Sequence, residues 1–365
     1  WRDHRMINRK ITLLGPEGTN LYILLQFIVF SIISWFTLFT SVELIQFNTG
    51  NILSRQIAFS LVGLAVFFLT TYLSIENLYN LINPLFVLSI SVLTGLLFTV
   101  PILGVRRWYD LEPIGLPIFI QPSEFSKIIL VLFLAKILSS DISKSFALIG
   151  ILFSLFLVFI QPDLGTTLLL LIVSVLMFFL SDIKLRTSVL VLLIIFSFFF
   201  LLLELNLLGD YQVSRITEFF TGEDFSQQQS RLSISSGGLL GSYFTNSQLT
   251  EVFVPVQTTD FIFSLFSKNF GFFGSVVLIS LWLLFFYRVN RIIKKTEINF
   301  EKYLLSGLLL LLGVQIFINL LTILGFIPLT GIPFPLLSLG GSSVFSTAII
   351  FGIINRVFIE NNIVV

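Results

Sequence analysis

Apolar runs long enough to cross a lipid bilayer recur along the chain at roughly 21–40, 56–73, 81–101, 124–139, 145–160, 164–181, 187–208, 260–287, 303–325 and 341–359. Short polar connections separate most of them. The pattern predicts an all-α, polytopic integral membrane protein with about ten transmembrane helices. The fourth to sixth runs are the shortest. One connection is long: residues 209–259, between the seventh and eighth runs, form a loop that includes the polar patch Gly222-Glu223-Asp224-Phe225-Ser226-Gln227-Gln228-Gln229. A loop of that length is usually functional or disordered, and its glutamines read as a solvated surface. No separate soluble domain and no internal repeat stands out. Residues 1–365 read as one transmembrane domain with an N-terminal tail at 1–20 and the large loop at 209–259.

Basic residues set the orientation. With the N-terminus in the cytoplasm, the inner segments hold Arg2, Arg5, Arg9, Lys10, Lys136, Lys144, Lys184, Arg186, the cluster Arg288, Arg291, Lys294, Lys295 and Lys302, and Arg356. The outer side holds half as many: Arg55, Arg106, Arg107, Lys127, Arg215, Arg231 and Lys268. Both termini are thus expected in the cytoplasm, the 209–259 loop outside, and 288–302 as a short basic loop that anchors the topology. The chain begins at Trp1 rather than Met, as a trimmed form would; separately, the first apolar run is about as long as a spanning helix, which argues against reading it as a cleavable signal peptide.

Composition narrows the chemistry. Hydrophobic residues make up 56% of the chain and charged residues 11%, and mean hydropathy is +1.00, beyond what a soluble protein of this length can bury. A net charge of +1 suggests no nucleic-acid partner. The absence of cysteine rules out thiolate nucleophiles and Cys-ligated metals, and the only histidine is His4 in the tail. A general base must then be Asp, Glu, Lys or Tyr. Carboxylate-bound Mg²⁺ or Mn²⁺ stays open.

The polar motifs gather on one side. The segments at 104–108, 121–124, 161–165, 236–241, 259–263 and 339–343 all fall at the outer surface, and several begin helices. The fourth run opens Gln121-Pro122-Ser123-Glu124 and the sixth Gln161-Pro162-Asp163-Leu164, with proline at the first helical position and an acid in the first turn. The eighth is expected to start on a cap at Thr258 or Thr259 with Asp260 in its first turn, and the tenth at Gly340-Gly341-Ser342-Ser343. Four helix N-termini on one face, together with Arg106, Arg107, Lys127 and Arg215, suit a diphosphate if they converge. Blander readings stand beside this one. The acids can be capping aids, and Glu124 and Lys127, three apart, can simply pair. Arg106-Arg107-Trp108 can be an interfacial anchor, the Gly-Gly pairs can serve turns or close packing, and Asp260 can pair with Arg107 or Lys127 to hold the face closed.

At these residues the chain resembles the shape, elongation, division and sporulation family, the RodA/FtsW/SpoVE proteins. The matches are Gly104, Arg107, Trp108, Gln121, Pro122, Ser123, Glu124 and Lys127, then Gln-Pro-Asp-Leu-Gly-Thr at 161–166, Ser-Gly-Gly-Leu-Leu-Gly at 236–241, Thr-Asp-Phe-Ile-Phe at 259–263, and Asn319, Pro328, Thr330, Gly331 and 340–343. The resemblance implies a peptidoglycan glycosyltransferase acting on lipid II, a disaccharide-pentapeptide on undecaprenyl diphosphate, in the bacterial cytoplasmic membrane. It also implies a class B penicillin-binding protein as partner, along with other elongation or division complex proteins, and it maps the family's essential aspartate onto Asp260. The chain departs from the family at Pro255-Val256-Gln257-Thr258, at Lys268-Asn269, where an acidic pair is usual, and at Leu339, and it carries extra residues between Trp108 and Gln121. Asn246-Ser247 leans towards division proteins and Gly331-Ile332-Pro333 towards elongation proteins.

On this reading Asp260 is the general base for an attacking sugar hydroxyl. Arg107, Lys127 and Arg215 are candidates for the diphosphate, Glu124 and Asp163 position those cations or a divalent ion, and Gln121, Ser342 and Ser343 line the substrate site. Two other functions are open to such a chain: a lipid II flippase, which needs polar groups along a path through the membrane, and a non-catalytic scaffold for the penicillin-binding protein. The inner spans carry few polar groups, chiefly Gln315, Asn319 and Glu204.

Overall fold

The computed structural model describes residues 21–42, 50–102, 104–112, 118–204, 210–222, 224–245 and 254–361. The tail at 1–20 and Asn246-Ser247 lie outside the described residues. The helices are α1 (Leu21–Val42), α2 (Gly50–Tyr72), α3 (Ile75–Leu96), α4 (Pro122–Leu138), α5 (Lys144–Ile160), α6 (Leu164–Leu180), α7 (Leu185–Glu204), α8 (Asp210–Thr221), α9 (Phe225–Ser236), α10 (Ser242–Thr245), α11 (Ile262–Lys295), α12 (Asn299–Ile323) and α13 (Gly341–Glu360). A two-stranded antiparallel hairpin, β1 (Tyr109–Asp110) with β2 (Phe119–Ile120), lies before α4.

Each apolar run became a helix, and the fold is an all-α polytopic membrane fold. Six helices, α1, α2, α3, α11, α12 and α13, are long and apolar enough to cross a membrane by length and composition. Of the roughly ten spans expected, six therefore meet that length and composition. Helices α4, α5 and α6 have 17 residues each, about 26 Å at 1.5 Å per residue, which falls short of a hydrocarbon core of about 30 Å. Helix α4 also carries Glu124, Lys127 and Lys136.

Three other expectations change. Helix α11 runs through the basic stretch expected as a loop and ends with Lys294 and Lys295 in its last turn, where cations complement the helix dipole. The long connection folds into α8, α9 and α10. Its glutamines are not all solvated. Asp224 caps α9 by accepting from Gln227 N–H, and the buried Gln227 Nε2 donates to the carbonyls of Thr322 (3.0 Å) and Ile327 (2.7 Å).

Helix α4 is the hub. Ile128, Val131, Leu134 and Ala135 are at most 2% exposed, and α3, α5, α6, α12 and α13 pack around it. Helix α11 is broken at Gly271, whose φ is 65°. The Ser-Gly-Gly-Leu-Leu-Gly segment locks onto this break. Phe272 and Phe273 donate their N–H groups to the carbonyls of Gly238 (2.9 Å) and Leu239 (3.2 Å). A Cβ on Gly237 would strike the Ser267 carbonyl, and one on Gly241 the carbonyl of Asn269. These glycines permit backbone to lie on backbone. The latch fixes the buried first part of α11, and with it the turn that leads into the helix.

Candidate functional site

Hydrogen bonds draw four helix starts to one end of the bundle. Gln121 N–H, ahead of α4, donates to Ser342 Oγ on α13 (3.0 Å). Gln121 Nε2 and Ser123 Oγ each donate to Asp163 Oδ2, the cap of α6, at 3.4 Å. Leu339 N–H, ahead of α13, donates to the Thr258 carbonyl (2.9 Å), and Ser338 Oγ donates to that of Thr259 (2.6 Å). These last two bonds also explain a correction. Asp260 is not in the first turn of α11, which begins at Ile262 without a side-chain cap. The carbonyls of Thr258 and Thr259 are claimed by the 338–339 segment, so the chain stays in a non-helical turn until it reaches the helix.

Asp260 projects from this turn and is half-buried. It faces Gly331 in the strap between α12 and α13. A Cβ placed on Gly331 would lie 3.7 Å from Asp260 Oδ2, 3.9 Å from Arg107 Nη1 and 3.9 Å from Arg215 Nη1. The carboxylate and two guanidiniums thus surround one point, and a φ of 71° keeps glycine there. Burial holds the Asp260 carboxyl above the usual carboxylate range. Arg215 and Arg107, and a hydrogen bond from Thr259, oppose that rise, while Asp163 adds to it.

The cations come from separate elements. Arg107 follows α3 and is buried. Its guanidinium donates to the carbonyls of Gln161 (3.4 Å) and Pro162, and its Nη1 is 4.0 Å from Asp163 Oδ1. Asp163 also accepts from Thr166 N–H (3.1 Å) and Thr166 Oγ1 (2.9 Å), so capping and cation-holding are one role. Arg215 arrives on α8, where its Nη1 donates to the Leu329 carbonyl (3.1 Å). Beside this corner a cavity of about 220 Å³ is lined by Arg107, Arg215, Gln212 and Thr330 and, on its apolar side, by Leu164, Leu168, Phe199 and Ile216. Such a cavity suits an anionic group that carries a hydrocarbon chain. Arg106 is exposed.

The other expected residues lie beneath. Lys127 is 1% exposed, and its Nζ is 2.7 Å from Glu124 Oε2 and 2.9 Å from Gln315 Oε1. Ser346 Oγ donates to the same Glu124 oxygen (2.9 Å). Lys127 is absent from the cavity lining, so the i,i+3 pairing that the sequence offered as the simpler reading is present. Ser342 bridges α13 to Gln121, whereas Ser343 Oγ is buried without a partner among the described residues. No group of three or more His, Cys, Asp or Glu able to hold a metal occurs among the described residues. Sequence reasoning named Gly331 and Gln161 as motif residues without a role in the site, and passed over Gln212. For Gly331 the signal was a glycine between two prolines, Pro328 and Pro333.

The chain is similar in sequence and fold to known proteins. The family model for FtsW, RodA and SpoVE, described as cell cycle protein, matches residues 19–363. Peptidoglycan glycosyltransferase MrdB of Escherichia coli is 33% identical over 69% of this chain and 70% of its own. Stage V sporulation protein E of Bacillus subtilis is 31% identical over 70% and 71%. Among solved structures, a chain from work on the structural coordination of polymerization and crosslinking by a peptidoglycan synthase complex superposes with a TM-score of 0.77 at 26% identity, covering 94% of this chain and 98% of that one. The rod shape determining protein RodA of Thermus thermophilus gives a TM-score of 0.69 at 24% identity over 94% and 97%, which speaks to the fold.

Proposed function

Since this chain belongs to the FtsW/RodA/SpoVE family of cell cycle proteins, we propose that it is a peptidoglycan glycosyltransferase that polymerises lipid II. The observation that carries the reading is the meeting of Asp260 with Arg107 and Arg215 around Gly331. Polymerisation requires a sugar hydroxyl to attack an anomeric carbon while the bond from that carbon to a diphosphate breaks. Asp260, ionised, takes the proton of the acceptor 4-hydroxyl as its oxygen forms the new bond. Burial that raises the carboxyl makes it a stronger base near neutral pH. The electron pair of the breaking bond leaves with the diphosphate, whose growing charge Arg107 and Arg215 stabilise. Asp163 and Gln121 orient Arg107, and the adjoining cavity takes the start of the prenyl chain. Lys127 and Glu124 contribute from below, as a buried pair that fixes α4 against α12 and α13, and Ser342 and Ser343 shape the α13 side.

The same reading has ten helices, α1 to α7 and α11 to α13, crossing the cytoplasmic membrane, the shorter ones inside the bundle, with both termini inside and α8 to α10 on the outer face beside the site. The whole chain then works as one transmembrane domain. The superposition onto a chain of a peptidoglycan synthase complex supports a class B penicillin-binding protein as partner. The test is Asp260→Asn in the purified complex with lipid II as substrate. Glycan chains disappear while lipid II stays bound. Undiminished polymer removes Asp260 from the reaction, and transbilayer movement of lipid II in liposomes without polymer would replace the transferase by a flippase.

A further inference from the structure

Asn319 is buried in α12, 1% exposed, in a span that is otherwise leucine-rich. Its Nδ2 donates twice, to the Asp260 carbonyl at 2.9 Å and to the Ile332 carbonyl at 2.7 Å. Both partners are acceptors only, so the amide nitrogen must face them and the amide cannot be flipped. The opposite atom, Oδ1, is left buried without a partner among the described residues. An unsatisfied buried acceptor costs stability. Here it accompanies a clamp between the turn that carries Asp260 and the strap that carries Gly331.

The clamp is the middle of three contacts. Gln315, one turn earlier, donates Nε2 to the Pro333 carbonyl (2.8 Å). Thr322, three residues later, meets Thr330 hydroxyl to hydroxyl (3.0 Å). Residues at i, i+4 and i+7 lie along one helix face. Gln315 and Thr322 reach the strap but not the Asp260 turn, whereas Asn319 binds the strap and the main chain of Asp260 together.

We infer that Asn319 is a positioning residue that sets the Asp260 carboxylate against the guanidiniums of Arg107 and Arg215 by holding the Asp260 carbonyl and the 330–333 strap at a fixed separation. The inference deepens the proposed function and rests on it for its catalytic consequence. Without the clamp the turn is free to move off the strap, and the carboxylate leaves its cations. The groups that face Asp260 are Arg215 from α8, Arg107 from the segment after α3, Asp163 at the start of α6, and Thr259 in its own turn. Retreat from the strap relieves the burial that raises the carboxyl and retreat from the two arginines removes what holds it down, so its titration leaves the wild-type value.

The test compares Asn319→Leu, which removes both donated bonds, with Asn319→Ser, which is smaller and keeps one donor, and uses Thr322→Val as a strap-only control, all in the full-length protein. Two readouts are taken. One is labelling of Asp260 by a carboxyl-directed carbodiimide across pH, followed by peptide mass spectrometry. The other is the pH–rate profile of polymerisation from lipid II in the complex. The expected result is a labelling midpoint and an acid limb displaced from wild type in Asn319→Leu and less so in Asn319→Ser. The rate at its plateau falls about 100-fold in Asn319→Leu, as a misplacement of about 1 Å produces, with KM little changed and Thr322→Val like wild type in both readouts. Loss of folded protein without displacement of the midpoint in the folded fraction overturns the inference, as does an unmoved midpoint in Asn319→Ser should Asn319→Leu not fold. Because labelling needs no turnover, a wild-type complex that makes no polymer would defeat the glycosyltransferase reading and still leave the positioning of Asp260 decided.

Discussion

Gly331→Ala tests the geometry of the corner with a single methyl group. The new Cβ would stand 3.7 Å from Asp260 Oδ2 and 3.9 Å from each of the two guanidinium nitrogens. These are ordinary van der Waals separations, so no atom is forced to move. The φ of 71° at this position still penalises any side chain, by about 1–2 kcal/mol for an L-residue in the left-handed region. That penalty is the whole expected stability loss. The effect on catalysis is of another kind. The methyl occupies the space into which carboxylate and guanidiniums all point, where the acceptor hydroxyl or a diphosphate oxygen has to sit. Displacing a reacting group by about 1 Å lowers the rate about 100-fold, or about 2.7 kcal/mol of barrier at 1.36 kcal/mol per tenfold. Gly222→Ala is the matched control, because Gly222 has a φ of 74° and nothing within 4 Å of its would-be Cβ. Both variants should lose similar stability in denaturant unfolding, while only Gly331→Ala loses initial rate per folded molecule in a lipid II polymerisation assay. Full activity in Gly331→Ala, or an equal loss in Gly222→Ala, refutes the claim that substrate atoms enter between these three side chains.

Other consequences follow from the buried charges and the latch. Folding raises the Asp260 pKa, so the folded state favours the protonated acid, and the group lowers stability as pH climbs above its unfolded value of about 3.9. Asp260→Asn should therefore melt no lower than wild type at neutral pH and lose that advantage below the ordinary carboxylate range, while the wild-type rate shows an acid limb above that range. Lys127→Met leaves Glu124 charged and unpaired in the bundle and should cost about 3–5 kcal/mol, most of which Lys127→Met with Glu124→Gln restores. A double-mutant cycle in unfolding measures this, and additive losses would mean that the pair carries no coupling. Gly241→Ala forces a Cβ into the Asn269 carbonyl at a φ of 89° and should cost about 2–5 kcal/mol. Faster limited proteolysis between α9 and α11 reports it, and an unchanged digestion rate would mean that the latch is dispensable.

Helix positions were legible in the sequence because lipid-compatible runs are long and nearly uninterrupted. Their ends were less so. The basic stretch at 288–295 continues α11 because nothing in it breaks a helix, whereas charge alone suggested a loop. Gln227 looked like surface because glutamine usually is, and what buries it is a pair of carbonyls some 95 and 100 residues away. Asp260 was identified, but its place outside the helix depends on Ser338 and Leu339 taking the preceding carbonyls, a long-range competition that local capping rules do not contain. Arg107 and Arg215 were named as a possible anion site, and the structure sets both beside Asp260. For Lys127, placement in the first turns of α4 suggested either a ligand contact or a pair with Glu124. Only burial, with Gln315 as a further acceptor, distinguishes the two.

The polar groups of α12 bear on how the chain handles its substrate. A carrier of a charged lipid head group needs polar side chains at successive depths, each free to meet the cargo. Helix α12 does carry Gln315, Asn319 and Thr322, but all three are committed to Pro333, Ile332, Asp260 and Thr330. They support the strap beneath the corner and leave little free to line a path. In the other direction along the helix, Leu304, Leu305, Leu308, Leu311 and Leu312 are each fully buried at 0% exposure, so the interior face of this span turns dry within a turn of Gln315. The polarity that the sequence displayed in a membrane span is structural scaffolding for a site at one end of the bundle. A scaffold of that kind suits a group held still for chemistry, since the carboxylate and two guanidiniums must keep their spacing while bonds change.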